Sequence, residues 1–407
     1  MKKYRFKTLL LTLLIGVFGI VKFIPICNGA EVTVQKNKQG NWELLVDKEP
    51  YFIKGISYTV SKVGESPEAG YAWNDWAFSD VNKNGKIDGP YDSWVDVNDN
   101  NRQDASEPIV GDFQLMKEMG VNTLRWYHNS YREQKANKEL LRDLYSSYGI
   151  RTAVGDFLGA YTIGSGALWQ EGTDYRNIDQ QNRMLESVKK MVIEHKDEPY
   201  LLFWILGNEN NLHFTQTNAG KYPEAYAKFL NKAADLIHQL DGQHPVALVN
   251  GDDKLVKYYG KFAKNIDIFG TNAYRGADGF GDLWENVKKN YDKPVLITEY
   301  GFNKGIYEEK ALKYHRGCWL DIVKNKSNIT GSGNSIGGMV FEWLDRWWTA
   351  GDPKHHAPID ISTEMGPYSW DQEYIGITTQ GDGSQSPFLR KFRKTYFLYK
   401  NELWSNL

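Results

Sequence analysis

The strongest constraint on this chain is an alternation. Short apolar runs rich in strand formers recur, each followed by an amphipathic stretch of helical period. The runs are Tyr51–Ile56, Asn122–Tyr127, Arg151–Val154, Leu201–Leu206, Pro245–Val249, Ile266–Gly270, Val295–Thr298 and Gly338–Trp343. The helical patterns are Asp112–Met119, Lys135–Tyr148, Asp179–His195, Tyr222–Leu240, Asp253–Ala263, Gly281–Tyr291, Tyr307–Lys324 and Pro387–Leu403. Leu201-Leu-Phe-Trp-Ile-Leu206 is apolar on both faces, the mark of a parallel sheet covered by helices. Eight strands alternating with eight helices predict an α/β fold, a (β/α)8 TIM barrel. The competing arrangement is an open doubly wound sheet. That fold carries a glycine-rich phosphate turn after its first strand, and Gly55-Ile-Ser-Tyr58 is not one. No linker or repeat marks a second domain, so residues 31–407 read as one barrel domain. Val32–Lys48 reads as a hairpin closing the barrel bottom.

The first thirty residues are a separate object. Lys2, Lys3, Arg5 and Lys7 precede an apolar run from Leu9 to Phe18, and Ala30 is a small residue before Glu31. This predicts a secretory signal peptide over residues 1–30 and an extracellular protein. The run is short for a membrane anchor and is broken at Lys22 and Pro25. Ile26 is a poor predecessor for a lipoprotein cysteine, so no lipid is expected at Cys27. Cleavage removes five basic residues and leaves 44 basic against 51 acidic, net −7. There is no basic excess to hold a phosphate backbone, so nucleic acid is not an expected partner. Only Cys318 remains after cleavage, which excludes an internal disulfide and a cysteine-based zinc site. It sits in a helical pattern as a small buried hydrophobe.

A long insertion, about residues 59–108, interrupts the first β-to-α connection. It holds two runs of oxygen-bearing side chains at the spacing of a Ca²⁺ loop. The first offers Asp80, Asn82, Asn84 and Asp88, with a glycine at Gly85 but Tyr91 where an acid is wanted. The second offers Asp96, Asn98, Asn100, the carbonyl of Arg102, Asp104 and Glu107, with Asn101 at the turn. Seven acidic and three basic residues lie between Asp80 and Glu107. They repel one another unless a cation binds, so structural Ca²⁺ is expected there.

The chemistry is expected at strand ends. In a (β/α)8 barrel the C-terminal ends of the strands face the active site. Glu209 follows the fourth strand in Gly207-Asn208-Glu209-Asn210, and Glu299 ends the seventh in Thr298-Glu299-Tyr300-Gly301. A carboxylate directly after an apolar strand is costly to bury without a partner or a role. Two of them, on nearly opposite strands, point to a catalytic pair.

These motifs resemble the retaining β-glycosidases of clan A, whose acid/base is the Glu of an Asn-Glu pair after strand four and whose nucleophile ends strand seven. Gly207-Asn-Glu-Asn210, Thr298-Glu-Tyr-Gly301 and Gly338-Met-Val-Phe-Glu-Trp343 are similar to the barrel domain of glycoside hydrolase family 2. Tyr51-Phe-Ile-Lys-Gly-Ile-Ser-Tyr58, Met119-Gly-Val-Asn-Thr-Leu-Arg125 and Phe269-Gly-Thr-Asn-Ala-Tyr274 are more similar to family 72 β-1,3-glucanosyltransferases. The chain lacks the β-sandwich domains of the one and the disulfides of the eukaryotic members of the other. The resemblance implies a secreted retaining β-glycoside hydrolase acting on a β-linked oligo- or polysaccharide. Glu209 is then the acid/base and Glu299 the nucleophile, with no cofactor for the chemistry.

The resemblance also implies the surrounding roles. Arg125 keeps Glu299 ionised, Asn208 bonds the sugar 2-hydroxyl, Tyr274 orients the nucleophile, and Trp343 is the floor under the reacting sugar. His128 and Tyr127 end the second strand within reach of a sugar hydroxyl. Asp156 lines the cleft, and Trp169, Trp347, Trp348 and Trp370 are further platforms. His355 and His356 lack a third metal ligand and read as a polar loop. Glu342, alternating with Trp343, should point away from the barrel axis. A transglycosylase would use the same residues, and a non-catalytic glycan-binding barrel would lack one carboxylate.

Overall fold

The computed structural model describes residues 29–67, 75–127, 134–356 and 372–405. The barrel strands are β4 (Ile53–Ser57), β6 (Thr123–Arg125), β7 (Arg151–Asp156), β8 (Leu201–Leu206), β9 (Val246–Gly251), β10 (Ile268–Asn272), β11 (Val295–Tyr300) and β12 (Ser335–Val340). They are all parallel and close on themselves in chain order, which excludes the open sheet. Helices α1 (Asp112–Met119), α2 (Gln134–Tyr148), α3 (Ile178–His195), α4 (Pro223–Leu240), α5 (Val256–Phe262), α6 (Leu283–Asn290) and α7 (Glu308–Lys324) connect them.

Strand parity explains the doubly apolar runs. On β8, Phe203 and Ile205 belong to the barrel interior, whereas Trp204 and Leu206 belong to the layer under the helices; Leu202, skipped where the pairing with β7 shifts register, joins the interior as well. On β9, Ala247 and Val249 point in while Val246 and Leu248 point out. Local signals set the helix ends. The Asn177 side chain accepts from the backbone N–H groups of Asp179 and Gln180 at the start of α3, and Pro223 opens α4. Each satisfies or removes an orphan donor of a first turn.

The N-terminal hairpin closes the bottom as expected. Strands β1 (Val32–Lys36), β2 (Trp42–Val46) and β3 (Glu49–Pro50) form an antiparallel sheet. Val32, Leu44 and Val46 join the interior core of Ile53, Leu202 and Ile268.

Three expectations shift. The last helical pattern opens instead as a strand, β14 (Leu389–Phe392), with α8 limited to Lys394–Leu398. The cause is a buried ion pair. Arg390 Nε and Nη2 donate to Asp112 Oδ1 and Oδ2, each at 2.7 Å, and both side chains are fully buried. Tyr58 and Ser93 donate to the same carboxylate at 2.6 and 3.0 Å. β14 pairs with β5 (Trp94–Val95) of the insertion and with β13 (Thr378–Thr379). Asp112 therefore ties together the first barrel strand, the insertion, α1 and the C-terminal segment. Second, α5 begins at Val256, because the chain turns through residues 252–255 first. Third, β12 ends at Val340, three residues before the expected Trp343.

Residues 1–28 and with them Cys27, and also His128 and Trp370, lie outside the described residues. Cys318 is buried and unpaired by disulfide, with its Sγ 3.4 Å from the Gly276 carbonyl oxygen.

Candidate active site

The C-terminal mouth gathers side chains from five strands. Glu299, the fifth residue of β11, is the centre. Its Oε1 accepts from Arg125 Nη1 at 2.6 Å and from the Tyr127 hydroxyl at 2.5 Å. Its Oε2 accepts from the Tyr274 hydroxyl at 2.9 Å. Arg125, last residue of β6, is fully buried. Its Nη1 also donates to the Thr298 carbonyl and to Asn272 Oδ1, and its Nη2 donates to Asn208 Oδ1 at 2.8 Å. A guanidinium has only donors, so it fixes the Asn208 amide with its oxygen toward Arg125. Asn272 Nδ2, at 3.2 Å, donates to that oxygen too. The Asn208 Nδ2 is thereby turned the other way.

Glu209 reaches the mouth through a backbone that few residues adopt. Gly207 has φ 81° and Glu209 itself φ 56°, both left-handed. Left-handed non-glycine residues are uncommon and concentrate at functional sites. A Cβ at Gly207 would lie 2.4 Å from Asn210 Oδ1, the atom that accepts from the Asn208 backbone N–H. The Asn210 Nδ2 in turn reaches the Phe157 and Leu158 carbonyls and the Tyr175 hydroxyl. Asn210 thus ties the Glu209 turn to the loop after β7.

The two carboxylates sit in opposite environments. Removal from water, then the Glu299 charge, push Glu209 up to about 8, against a hydrogen bond with Asn272 and the Arg125 charge. Glu299 instead has one cation and two phenols on its oxygens. Burial holds both phenols far above their ordinary range, so they stay donors. A carboxyl pushed toward its protonated form beside one held by a cation and two phenols is the arrangement that separates an acid from a nucleophile.

The structure brings Glu209, Glu299, Arg125, Asn208 and Tyr274 together as the sequence grouped them. Trp343 is not with them. Its residue is fully buried and its ring packs edge-on against Tyr396 of α8, 6.1 Å between centroids, in the layer outside the barrel. Because β12 stops early, Phe341 comes to the mouth and clusters with Tyr127, Ile375 and Tyr274. Glu342 is fully buried, with its Oε1 3.0 Å from Arg346 Nε, and so serves an ion pair. Asp156 accepts from Ser187 of α3 and from the Leu158 N–H, so it braces a loop. Trp347 packs on His356 and Trp348 on Arg346, and both are buried; Trp169 is 44% exposed. His355 pairs with Asp352.

Sequence reasoning passed over three residues of the site. Asn272 holds the Asn208 amide, Tyr127 donates to the nucleophile and not to a sugar hydroxyl, and Phe341 takes the place expected of the neighbouring tryptophan. The period-two alternation of β10 carried a signal for Asn272, since it is a polar residue ending an apolar strand.

In the insertion, both runs of Asp and Asn fold into turns closed by side-chain to backbone hydrogen bonds. Asn84 and Gly85 N–H groups donate to Asp80, and Asn100 and Asn101 N–H groups to Asp96. A π-helical turn over Asp88–Asp92 carries Asp92 round to Asn82 and Asn84, whose Nδ2 groups lie 2.9 and 2.5 Å from its Oδ2. Glu107 accepts from the Val97 and Asp104 N–H groups. Lys391 Nζ lies 3.3 Å from Asp96 Oδ2. Among the described residues, no three His, Cys, Asp or Glu side chains are gathered to hold a metal.

The model of the glycosyl hydrolases family 2 TIM barrel domain matches residues 99–315, more than half of the chain. The chain belongs to that family. A β-glucuronidase of Streptococcus agalactiae is 26% identical over 258 residues, 58% of this chain and 40% of that protein. Human β-glucuronidase is 24% identical over 219 residues, 51% of this chain and 30% of that protein. Among solved structures, a β-D-glucuronidase of Dictyoglomus thermophilum has a TM-score of 0.53 at 16% identity, covering 92% of this chain and 54% of its own. A family 2 β-galacturonidase of Eisenbergiella tayi has a TM-score of 0.54 at 14% identity, with the same coverage. The matched parts are a minority of the curated relatives and about half of the two structures. The family 72 likeness stays confined to three short motifs.

Proposed function

We propose that this chain is a secreted retaining β-glycoside hydrolase that works by double displacement. The observation that carries the reading is the contrast between Glu209, a carboxyl pushed toward its protonated form, and Glu299, a carboxylate held by Arg125, Tyr127 and Tyr274. In the first step Glu299 attacks the anomeric carbon while Glu209 gives its proton to the leaving oxygen. In the second, Glu209 takes a proton from water, and water displaces Glu299. Asn208 Nδ2 is placed for a hydroxyl of the reacting sugar, and Phe341 replaces Trp343 as the apolar floor. His128 stands three residues past Arg125 in sequence and is assigned to a sugar hydroxyl as well.

The reading is supported by the family and by relatives named β-glucuronidase, so the substrate panel begins with 4-nitrophenyl β-D-glucuronide and β-D-galacturonide and adds neutral β-glycosides. Proton NMR of the first-formed sugar tests the mechanism. A β-anomer formed first is expected; an α-anomer first, or turnover of none of the panel, overturns the reading. A β-glucanosyltransferase using the same pair would show transfer products with a sugar acceptor in place of free sugar.

We also propose structural Ca²⁺ in the insertion. Asp80, Asn82, Asn84, the Lys86 carbonyl, Asp88 and Asp92 would hold one ion. Asp96, Asn98, Asn100, the Arg102 carbonyl, Asp104 and Glu107 would hold a second, in competition with Lys391. Each set is oxygen-only and rich in carboxylates, as Ca²⁺ requires.

A further inference from the structure

Two phenols hold Glu299, and only Tyr274 belongs to the motif that marks the site. The other, Tyr127, stands two residues past Arg125 at the end of β6. Its hydroxyl and Arg125 Nη1 donate to the same oxygen, Oε1, at 2.5 and 2.6 Å. The guanidinium carbon of Arg125 lies 4.4 Å from the centroid of the Tyr127 ring, so the two donors are stacked on each other. Ser57, which ends β4 next door, has its Oγ 3.4 Å from the same hydroxyl. Phe341 meets the ring edge-on at 6.3 Å. This phenol is therefore locked by neighbours on three strands.

A carboxylate oxygen offers about two lone-pair directions. On Oε1 both are taken, by Arg125 and Tyr127. Oε2 carries the Tyr274 bond and keeps a lone pair. We infer that Tyr127 is a positioning residue which, with Arg125, saturates Oε1 of Glu299 and so makes Oε2 the oxygen that attacks the anomeric carbon. This rests on the double-displacement reading above. In the first step the bond from Oε2 to the anomeric carbon forms as the bond to the leaving oxygen breaks. The leaving oxygen takes the Glu209 proton. In the resulting ester, Oε1 is the carbonyl oxygen and keeps its two donors. In the second step water bonds to the anomeric carbon, its proton goes to Glu209, and the electron pair of the Oε2 bond returns to Glu299.

The two steps need Tyr127 unequally. When the ester forms, negative charge leaves the carboxylate, and the Tyr127 bond weakens. When the ester breaks, charge returns, and the bond strengthens toward the transition state. Losing the hydroxyl should slow the second step more than the first, because only interactions that grow toward a transition state accelerate it. A hydrogen bond to a charged group is worth about tenfold to a hundredfold in rate.

The test is Tyr127→Phe, which keeps the ring against Arg125 and Phe341. The probe is the 2,4-dinitrophenyl β-glycoside of the panel sugar that the wild type cleaves best. With this leaving group the first step is fast and kcat reports the second. Expected are a kcat about tenfold lower or more, a KM that falls with it, and kcat/KM changed by less than about threefold. Parallel loss of kcat and kcat/KM marks a merely structural role and overturns the inference, as does no change. If melting shows that the phenylalanine variant does not fold, 3-fluorotyrosine at position 127 keeps the shape and strengthens the donor. With the same dinitrophenyl glycoside kcat should then rise while kcat/KM holds, and an unchanged kcat overturns the inference. A wild-type protein that cleaves no panel member sinks the double-displacement reading instead.

Discussion

Asp112→Ala should be among the most destabilising single changes in this protein. The Asp112 carboxylate is fully buried, receives two 2.7 Å bonds from Arg390 and accepts from Tyr58 and Ser93. Removing it strands a guanidinium with no access to water, which costs about 3–5 kcal/mol. The two hydroxyls lose their acceptor at about 1 kcal/mol each or less, since they can turn. The expected total is about 4–6 kcal/mol. Unfolding a chain of this length gains entropy of roughly 0.8 kcal/mol/K, so Tm should fall by about 5–7 °C in a calorimetric scan. Replacing both partners, Asp112→Ala with Arg390→Met, removes the stranded charge and should recover about half of the loss. A fall of less than about 1 °C for Asp112→Ala would refute the reasoning. So would a double variant that loses the sum of the single losses, because groups in one network must couple.

Three further outcomes are expected. With an aryl glycoside of poor leaving group, kcat/KM should fall about tenfold per pH unit above a basic limb near 8, because Glu209 is pushed up to about 8 and donates only while protonated. Glu209→Gln should abolish that limb, and a limb that persists would assign it elsewhere. Trp343→Ala should cost about 3–5 kcal/mol of stability while activity per folded molecule holds, whereas Phe341→Ala should lower kcat/KM with a smaller loss of Tm; the reverse pattern would restore Trp343 to the mouth. Adding Ca²⁺ to about 100-fold above its Kd should stabilise the protein by about 2.7 kcal/mol per site, and Asp92→Ala should remove the gain from the first loop; a melting scan indifferent to EGTA and to Ca²⁺ would leave both loops as metal-free turns.

The barrel was legible because its signal is redundant. Every barrel strand of the structure overlaps an apolar run, and Leu201–Leu206 and Asp112–Met119 were read to the residue. The strand-end carboxylates were legible for a different reason: an acid after an apolar strand breaks the pattern on which the strand is recognised. What was lost depends on contacts distant in sequence. Nothing near Arg390 announces that its partner is Asp112, and Leu389–Phe392 has no strand periodicity strong enough to outvote the helical pattern around it. The fate of Trp343 turned on where β12 ends. A three-residue difference there moved an aromatic ring from the mouth to the outer layer and put Phe341 in its place. The bonds from Asn82 and Asn84 to Asp92 escaped because they depend on a π-helical turn over Asp88–Asp92, which no residue spacing announces.

The account depends on Glu299 forming a bond to the sugar. Incubation of the protein with a 2-deoxy-2-fluoro β-glycosyl fluoride of the panel sugar slows the second step and should leave the glycosyl group attached. Peptide mapping by mass spectrometry should then find one label per molecule, on Glu299, formed in wild type and absent from Glu299→Gln. A label on another residue, or steady turnover in the Glu299→Gln variant, would contradict the account.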